Sequence, residues 1–336
     1  MVFFMVPRLF ATQTAYATPL GSMSISAAAN SDRLMSVPFA RNAVWSGSVS
    51  SLSGNNITIS GTPNWTSNAF ASSAYHYVRM LSGAQKGQYF SILSNSADTL
   101  SVDPAGLNLG SISPGDTAEV APYWTLGTLF PGTDAGISFV SSTSAMARQT
   151  EILLFDPNYV GINPSASSVY YHFNGAWRRV GTNLAISFDN TILYPDIYFI
   201  QRNKATATNL RTIGRVQPAA LGTILVANSA QNDNSTALAY PRDVTLNGSG
   251  LINSGFSATV SPLNRQDQLL WYDPTLTGIN NSASAIYIFY NGAWRKIGAN
   301  LTLDFGNSVT LKAGYGYIIR KAANGTTAPW VFQTGF

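Results

Sequence analysis

The chain has 336 residues, 45% of them hydrophobic and 12% aromatic, so it can bury a sizeable core. Only 10% are charged and the formal net charge is +4, against roughly a quarter charged in ordinary soluble domains. No Lys/Arg run exceeds two residues, which excludes the concentrated basic stripe that neutralises nucleic-acid phosphates; the absence of cysteine excludes disulfides, thiolate metal sites and a thiol nucleophile.

The chain opens on the apolar stretch MVFFMV, broken by Pro7-Arg8, and reaches Ala15-Tyr16-Ala17, a small-x-small pattern suited to cleavage before Thr18. Residues 1–17 are read as a candidate signal peptide or N-terminal segment. No later run is long and apolar enough for a spanning helix. Residues 18–39 resume, after a gap, at 125–217, because 40–124 carry a pattern of their own. Short strands are expected there at 44–52, 56–60, 75–81, 88–93, 99–102 and 117–121, divided by turn signals such as Gly54-Asn55 and Pro114-Gly115-Asp116. That spacing predicts a small β-barrel, its ends near Ala40 and Trp124 close together, as in a tolerated domain insertion. The one short helix expected is at 142–150.

YHFNGAWRRVGTNL, from Tyr171, returns as IFYNGAWRKIGANL from Ile288. The register holds over Asp156-Pro157 and Asp273-Pro274, Gly161-Ile162-Asn163 and Gly278-Ile279-Asn280, and Asn174–Trp177 and Asn291–Trp294, always 117 residues apart. Asn-Gly between apolar runs predicts a hairpin, since both residues accept the positive φ of a type I′ turn. Further strands are expected at 184–188 and 197–201, and at 301–305 and 315–319. Upstream, Gly21–Ile25 resembles Gly222–Val226 at an offset of 201, so about 84 extra residues lie within the first copy. The fold class is therefore all-β: two copies of a β-sandwich or β-sheet unit packed together, residues 18–39 plus 125–217 and residues 218–336, with the barrel of 40–124 inserted in the first.

The search for chemistry finds no catalytic constellation, and no enzyme activity or cofactor is expected. His76 and His172 fall within expected strands, and His172 aligns with Phe289, an apolar packing position. Asp156 and Asp273 precede proline, where turn capping accounts for them. A repeated calcium site pairing Asp156 with Asn163 and Asp273 with Asn280 is the weak metal candidate, short of the usual six to eight oxygens. Trp177 and Trp294, each beside an arginine, and Trp65, in a polar loop, are the candidate ligand-binding aromatics. Core filling is the plainer reading of the two strand tryptophans.

ANSDRLMSVPFAR, WSGSVSSLSGNNITISG, SGAQKGQYFSILSNSADTLSV, PYWTLGTLFP and the paired FNGAWRRVG and YNGAWRKIG resemble a paralogue-rich family of exported bacterial proteins to which no activity is assigned. The resemblance covers nearly all of residues 18–336. It implies a β-rich fold and export to the cell envelope or beyond, and it supplies no catalytic residues. The expected function is that of a non-enzymatic surface or extracellular structural protein that assembles through β edges, its partners being copies of itself or other envelope proteins. The alternative is a glycan- or ligand-binding β module. Nucleic acid is not an expected partner.

Overall fold

A computed structural model describes residues 19–217, 221–238 and 240–332; the candidate signal peptide at 1–17 lies outside the described residues. The protein is nearly all β. Two five-stranded antiparallel sheets and a closed six-stranded barrel carry the architecture. The first sheet runs Ala176–Arg179, Ser168–Phe173, Thr150–Leu154, Phe199–Asn203, Ser31–Met35. The second runs Ala293–Lys296, Ala285–Tyr290, Gln268–Trp271, Gly316–Lys321, Asn232–Ala237, the same order of connection.

Each sheet is anchored by its Asn-Gly hairpin. Asn174 and Gly175 adopt φ of 48° and 73°, and Asn291 and Gly292 adopt 48° and 71°. These values suit the right-handed twist of the flanking strands. The turns set the register, so His172 faces Trp177 and Phe289 faces Trp294 across the ladders. Both indoles are thereby driven inward. Trp177 packs with Phe130, Phe139 and Phe199 in one core, and Trp294 joins Leu269, Tyr287 and Trp330 in another. Ribbons formed by Leu20–Ala27 with Thr208–Arg215, and by Leu221–Leu225 with Ala328–Phe332, contribute Ile25 and Leu210 to the first core and Leu225 and Phe332 to the second.

Strand alternation sends the next residues the other way. Phe199 belongs to the first core but Ile200 does not; Ile319 belongs to the second but Ile318 does not. Ile200, Ile318, Leu34, Tyr198 and Leu270 meet in a separate apolar cluster between the two sheets.

Two reciprocal polar contacts fasten this junction. Asp32 receives Arg202 Nε at 2.7 Å and Nη2 at 2.8 Å, and Asp233 receives Arg320 at 2.7 and 2.9 Å. Each pair seats a loop of the opposite sheet. Asn280 N–H donates to Asp32 at 2.9 Å while its side-chain oxygen accepts from Arg202 at 2.6 Å. Asn163 N–H donates to Asp233 at 2.8 Å and its oxygen accepts from Arg320 at 3.1 Å. Asp32 N–H and Asp233 N–H complete the set on the carbonyls of Gly278 and Gly161.

The barrel closes in the order Trp45–Ser53, Asn56–Ile59, Thr99–Val102, Tyr89–Asn95, His76–Met80, Thr117–Pro122, each strand within two residues of its expected place. Glu119 ties it to the first ribbon, accepting from Arg79 at 2.8 Å within the barrel and from Arg215 at 2.6 Å outside it, with all three side chains buried. Tyr77, Tyr89, Tyr123 and Tyr194 pack along the same seam, where Tyr89 donates to the buried Asp196. Burial pushes the Asp196 carboxyl up to about 6, against the lowering effect of that hydrogen bond.

Three expectations are corrected. Residues 184–188 and 301–305 form turns, because Asn183 and Asn300 accept the N–H of Ala185 and Thr302 in Asx turns and Leu184 and Ile186 face solvent. Residues 142–150 form no helix. Ser142 and Ser144 bond the nearby N–H groups of Gln149 and Ala147, and Met146 is 90% exposed, so the segment has neither free backbone nor a buried face. The α-helix described is the single turn Leu126–Leu129, capped by Thr125.

Asp233→Ala is expected to destabilise the protein by about 3–5 kcal/mol in urea unfolding, since it strands a largely buried guanidinium and the N–H of Asn163; a loss below about 1 kcal/mol would contradict the fastening role. The folded state holds the Asp196 proton more tightly than the unfolded chain does. Its contribution is therefore most favourable below the ordinary 3.8 and is lost as pH rises toward 6, by up to about 3 kcal/mol. Subtracting the urea stability of Asp196→Asn from that of wild type, from pH 3.5 to 7, should give a difference that falls through this window; a flat difference would refute the assignment.

Candidate functional site

The strand Ser31–Met35 is an edge of the first sheet and lies against the second. Asp32 is held by Arg202 and the Gly278–Asn280 loop, and Met35 forms an antiparallel bridge with Tyr315. Between these fixed points stands Arg33. It is 7% exposed, its Nε is buried without a hydrogen-bond partner, and it has no ion pair among the described residues. Burial pushes its guanidinium below the usual value, with the nearby Tyr315 and Asp273 acting in the opposite direction. An arginine nevertheless stays protonated. A buried arginine nitrogen without a bonded partner is costly and calls for an explanation.

Arg33 borders a cleft of about 580 Å³ between the two sheets. Phe155, Tyr198, Ile200, Leu270, Tyr272 and Ile318 supply apolar lining from the inter-sheet cluster, with Asp273, Asn281 and Ser282 among the polar groups. Tyr198 is buried; Phe155 and Tyr198 flank strands of the first sheet and Tyr272 and Tyr315 flank strands of the second, so the cavity lies where the two are joined. Arg320 also lines it, but its Nε and Nη2 are already engaged by Asp233 and Asn163. Asp273 Oδ1 accepts from Thr275 N–H at 2.8 Å and Thr275 Oγ1 at 2.7 Å, and these bonds hold its carboxyl below the ordinary value. This cleft has the size and the mixture of apolar wall and few polar groups typical of small-molecule sites.

The sequence candidates are dispersed rather than gathered. Trp177 and Trp294 are 1% and 0% exposed in separate cores, which corrects their assignment as ligand-binding platforms: a ring face packed against other aromatics has nothing to offer a sugar. Trp65 is half-buried at the barrel, edge-on to Trp45 and Phe70 with centroids 5.4 and 5.1 Å away. The calcium pairings also do not assemble. Asp156 accepts from Asn158 N–H in an Asx turn, Asp273 does the same for Thr275, and Asn163 and Asn280 direct their oxygens to arginines of the opposite sheet. No group of three or more metal-ligating side chains occurs among the described residues.

His76 packs on Phe70 at a centroid distance of 5.2 Å. His172 Nδ1 lies 2.8 Å from Ser141 Oγ, and burial lowers the imidazole's pKa. A hydroxyl paired with a neutral imidazole invites comparison with a nucleophile and its base. Asp189 is close enough to influence the ring, yet its Oδ1 accepts the backbone N–H of Trp177, and no hydrogen bond among the described residues orients the second imidazole nitrogen. Phe139 and Trp177 clamp the ring instead, with centroids 4.8 and 5.7 Å away.

Sequence reasoning missed Arg33. One signal was present: at an offset of 201, Asp32 matches Asp233, while Arg33 faces Asn234. No family model, curated protein or solved structure matches the chain. No helix among the described residues is long and apolar enough to cross a membrane.

A buried cation kept for binding should weaken the fold. Arg33→Met is expected to raise the unfolding free energy by about 1–2 kcal/mol, as buried charges replaced by apolar groups of similar volume often do. A loss of more than about 2 kcal/mol in the same urea titration would mark Arg33 as a structural residue.

Proposed function

We propose that this protein is a non-enzymatic, ligand-binding β module and that the cleft between its two five-stranded sheets is the binding site. The observation that carries the reading is Arg33: a buried arginine without ion pair or hydrogen bond among the described residues, bordering a cleft of about 580 Å³. A ligand that completes its hydrogen bonds gives a reason to keep such a group. Placement in the bacterial envelope or outside the cell belongs to the same proposal. It is supported by the 10% charged content, the Ser/Thr/Asn-rich surface and the family resemblance. Duplication of one β unit is part of it too, supported by the 117-residue offset and by the matching ladders, in which Tyr170 faces Arg179 and Tyr287 faces Lys296.

Assembly through β edges draws less support. The outermost strands, Ala176–Arg179 and Ala293–Lys296, are four residues long and end in Arg178-Arg179 and Arg295-Lys296. Short edges bearing like charges disfavour pairing with a second copy.

Hydrogen exchange of the full chain, with and without hits from a thermal-shift screen of organic acids, neutral small molecules and oligosaccharides, tests the reading. Hits should slow exchange at 31–35, 270–283 and 315–320. Absence of hits, or protection confined to the barrel around Trp65, would overturn the cleft as the site.

A further inference from the structure

We infer that the cleft selects a monocarboxylate with an apolar body, its carboxylate bound by the guanidinium of Arg33 and its body laid against the inter-sheet cluster. This inference rests on the cleft being a binding site and names what it binds.

The charges argue for a single negative group. Of the two arginines that line the cleft, Arg320 gives Nε and Nη2 to Asp233 and Asn163, while Arg33 has no hydrogen bond or ion pair among the described residues. A planar fork of N–H groups matches a carboxylate in a bidentate arrangement, and such charge-assisted bonds strengthen where water is excluded. Asp32, next to Arg33 in the chain, is not its partner: it pairs with Arg202 and accepts the N–H of Asn280. Asp273 lies near enough to act on Arg33 electrostatically but forms no ion pair with it. It therefore leaves the guanidinium unsatisfied and sets a limit on the guest: a second negative group would be repelled by the Asp273 carboxylate.

The wall argues for an apolar body. Tyr198, Leu270 and Ile318 are buried members of the inter-sheet cluster, and Phe155, Tyr272 and Ile286 extend it. On this side the cleft is walled mainly by ring faces and aliphatic carbons, with Asn281 and Ser282 at its polar part. A neutral sugar, with hydroxyls around its whole rim, would lose hydrogen bonds to water there without recovering them. An aromatic or aliphatic chain loses none.

Calorimetry on the full chain with matched pairs of probes tests this: 4-phenylbutyrate against 4-phenylbutyramide, decanoate against decanamide, with maltotriose as the neutral sugar. Each carboxylate should bind at least about tenfold more tightly than its amide, the difference expected from one charge-assisted contact. Arg33→Met should abolish that difference, and Arg33→Lys should restore only part of it. Asp273→Asn, which keeps an acceptor for Thr275, should tighten carboxylate binding severalfold and leave amide binding unchanged. Equal binding of acid and amide in the cleft, or binding of maltotriose alone, would overturn the inference while leaving the binding module intact. Failure of every probe to bind in the cleft, together with a screen that returns no hits there, would remove both.

Discussion

The structure depends on the reciprocal seating of two Gly-Ile-Asn loops on two Asp–Arg pairs. Each loop belongs to one sheet and each pair to the other, so neither sheet completes its own polar contacts. Asp32 and Asp233 are largely removed from water, and in that environment each needs its full set of donors. The loops provide the last of them through the N–H groups of Asn280 and Asn163. Positive φ at Asn163 and Asn280, 55° and 58°, turns the amide and side-chain oxygen toward the same ion pair, a conformation that asparagine tolerates better than most residues. Because such a contact is directional, it fixes how far apart the two sheets stand. The apolar cluster between them must accept that distance, and where it does not fill the space the cleft remains.

Around this near-symmetric fastening the cleft itself is asymmetric. Arg33 has Asn234 as its counterpart, and Leu34 has Ser235. Gly316 lies so close to Tyr198 that a Cβ at this glycine would collide with the tyrosine, so the ring can stand over the second sheet only because a side chain is missing there. The two sheets thus share a scaffold and differ where they face the cavity. The proposed binding role accounts for this pattern: one geometry is kept for stability while the surface facing the cavity varies.

Much of the fold was legible because it is set locally. Asn-Gly placed both hairpins, and turn signals placed the six barrel strands to within two residues. The failures came where side chains rewrote the backbone's options: Asn183 and Asn300 folded expected strands into Asx turns, and Ser142 and Ser144 drew N–H groups away from a helix. The candidate site was harder to read. Trp177 and Trp294 stood out by type, but hairpin register turned them inward. Asn163 and Asn280 were singled out as oxygen ligands and do offer their oxygens, to arginines brought from the other sheet by tertiary contact. Arg33 carried no local signature, since being unpaired is a property of its surroundings and not of its neighbours in the chain.

The most direct measurement is side-chain ¹⁵Nε NMR of the arginines in the free protein and during addition of 4-phenylbutyrate. Arg202 and Arg320 should already give the resonances of paired guanidiniums and stay in place, while the Arg33 resonance should begin outside that group and move into it with the ligand. An Arg33 resonance that is paired in the free protein and unmoved by the carboxylate would contradict the claim that this cleft holds a cation reserved for a guest.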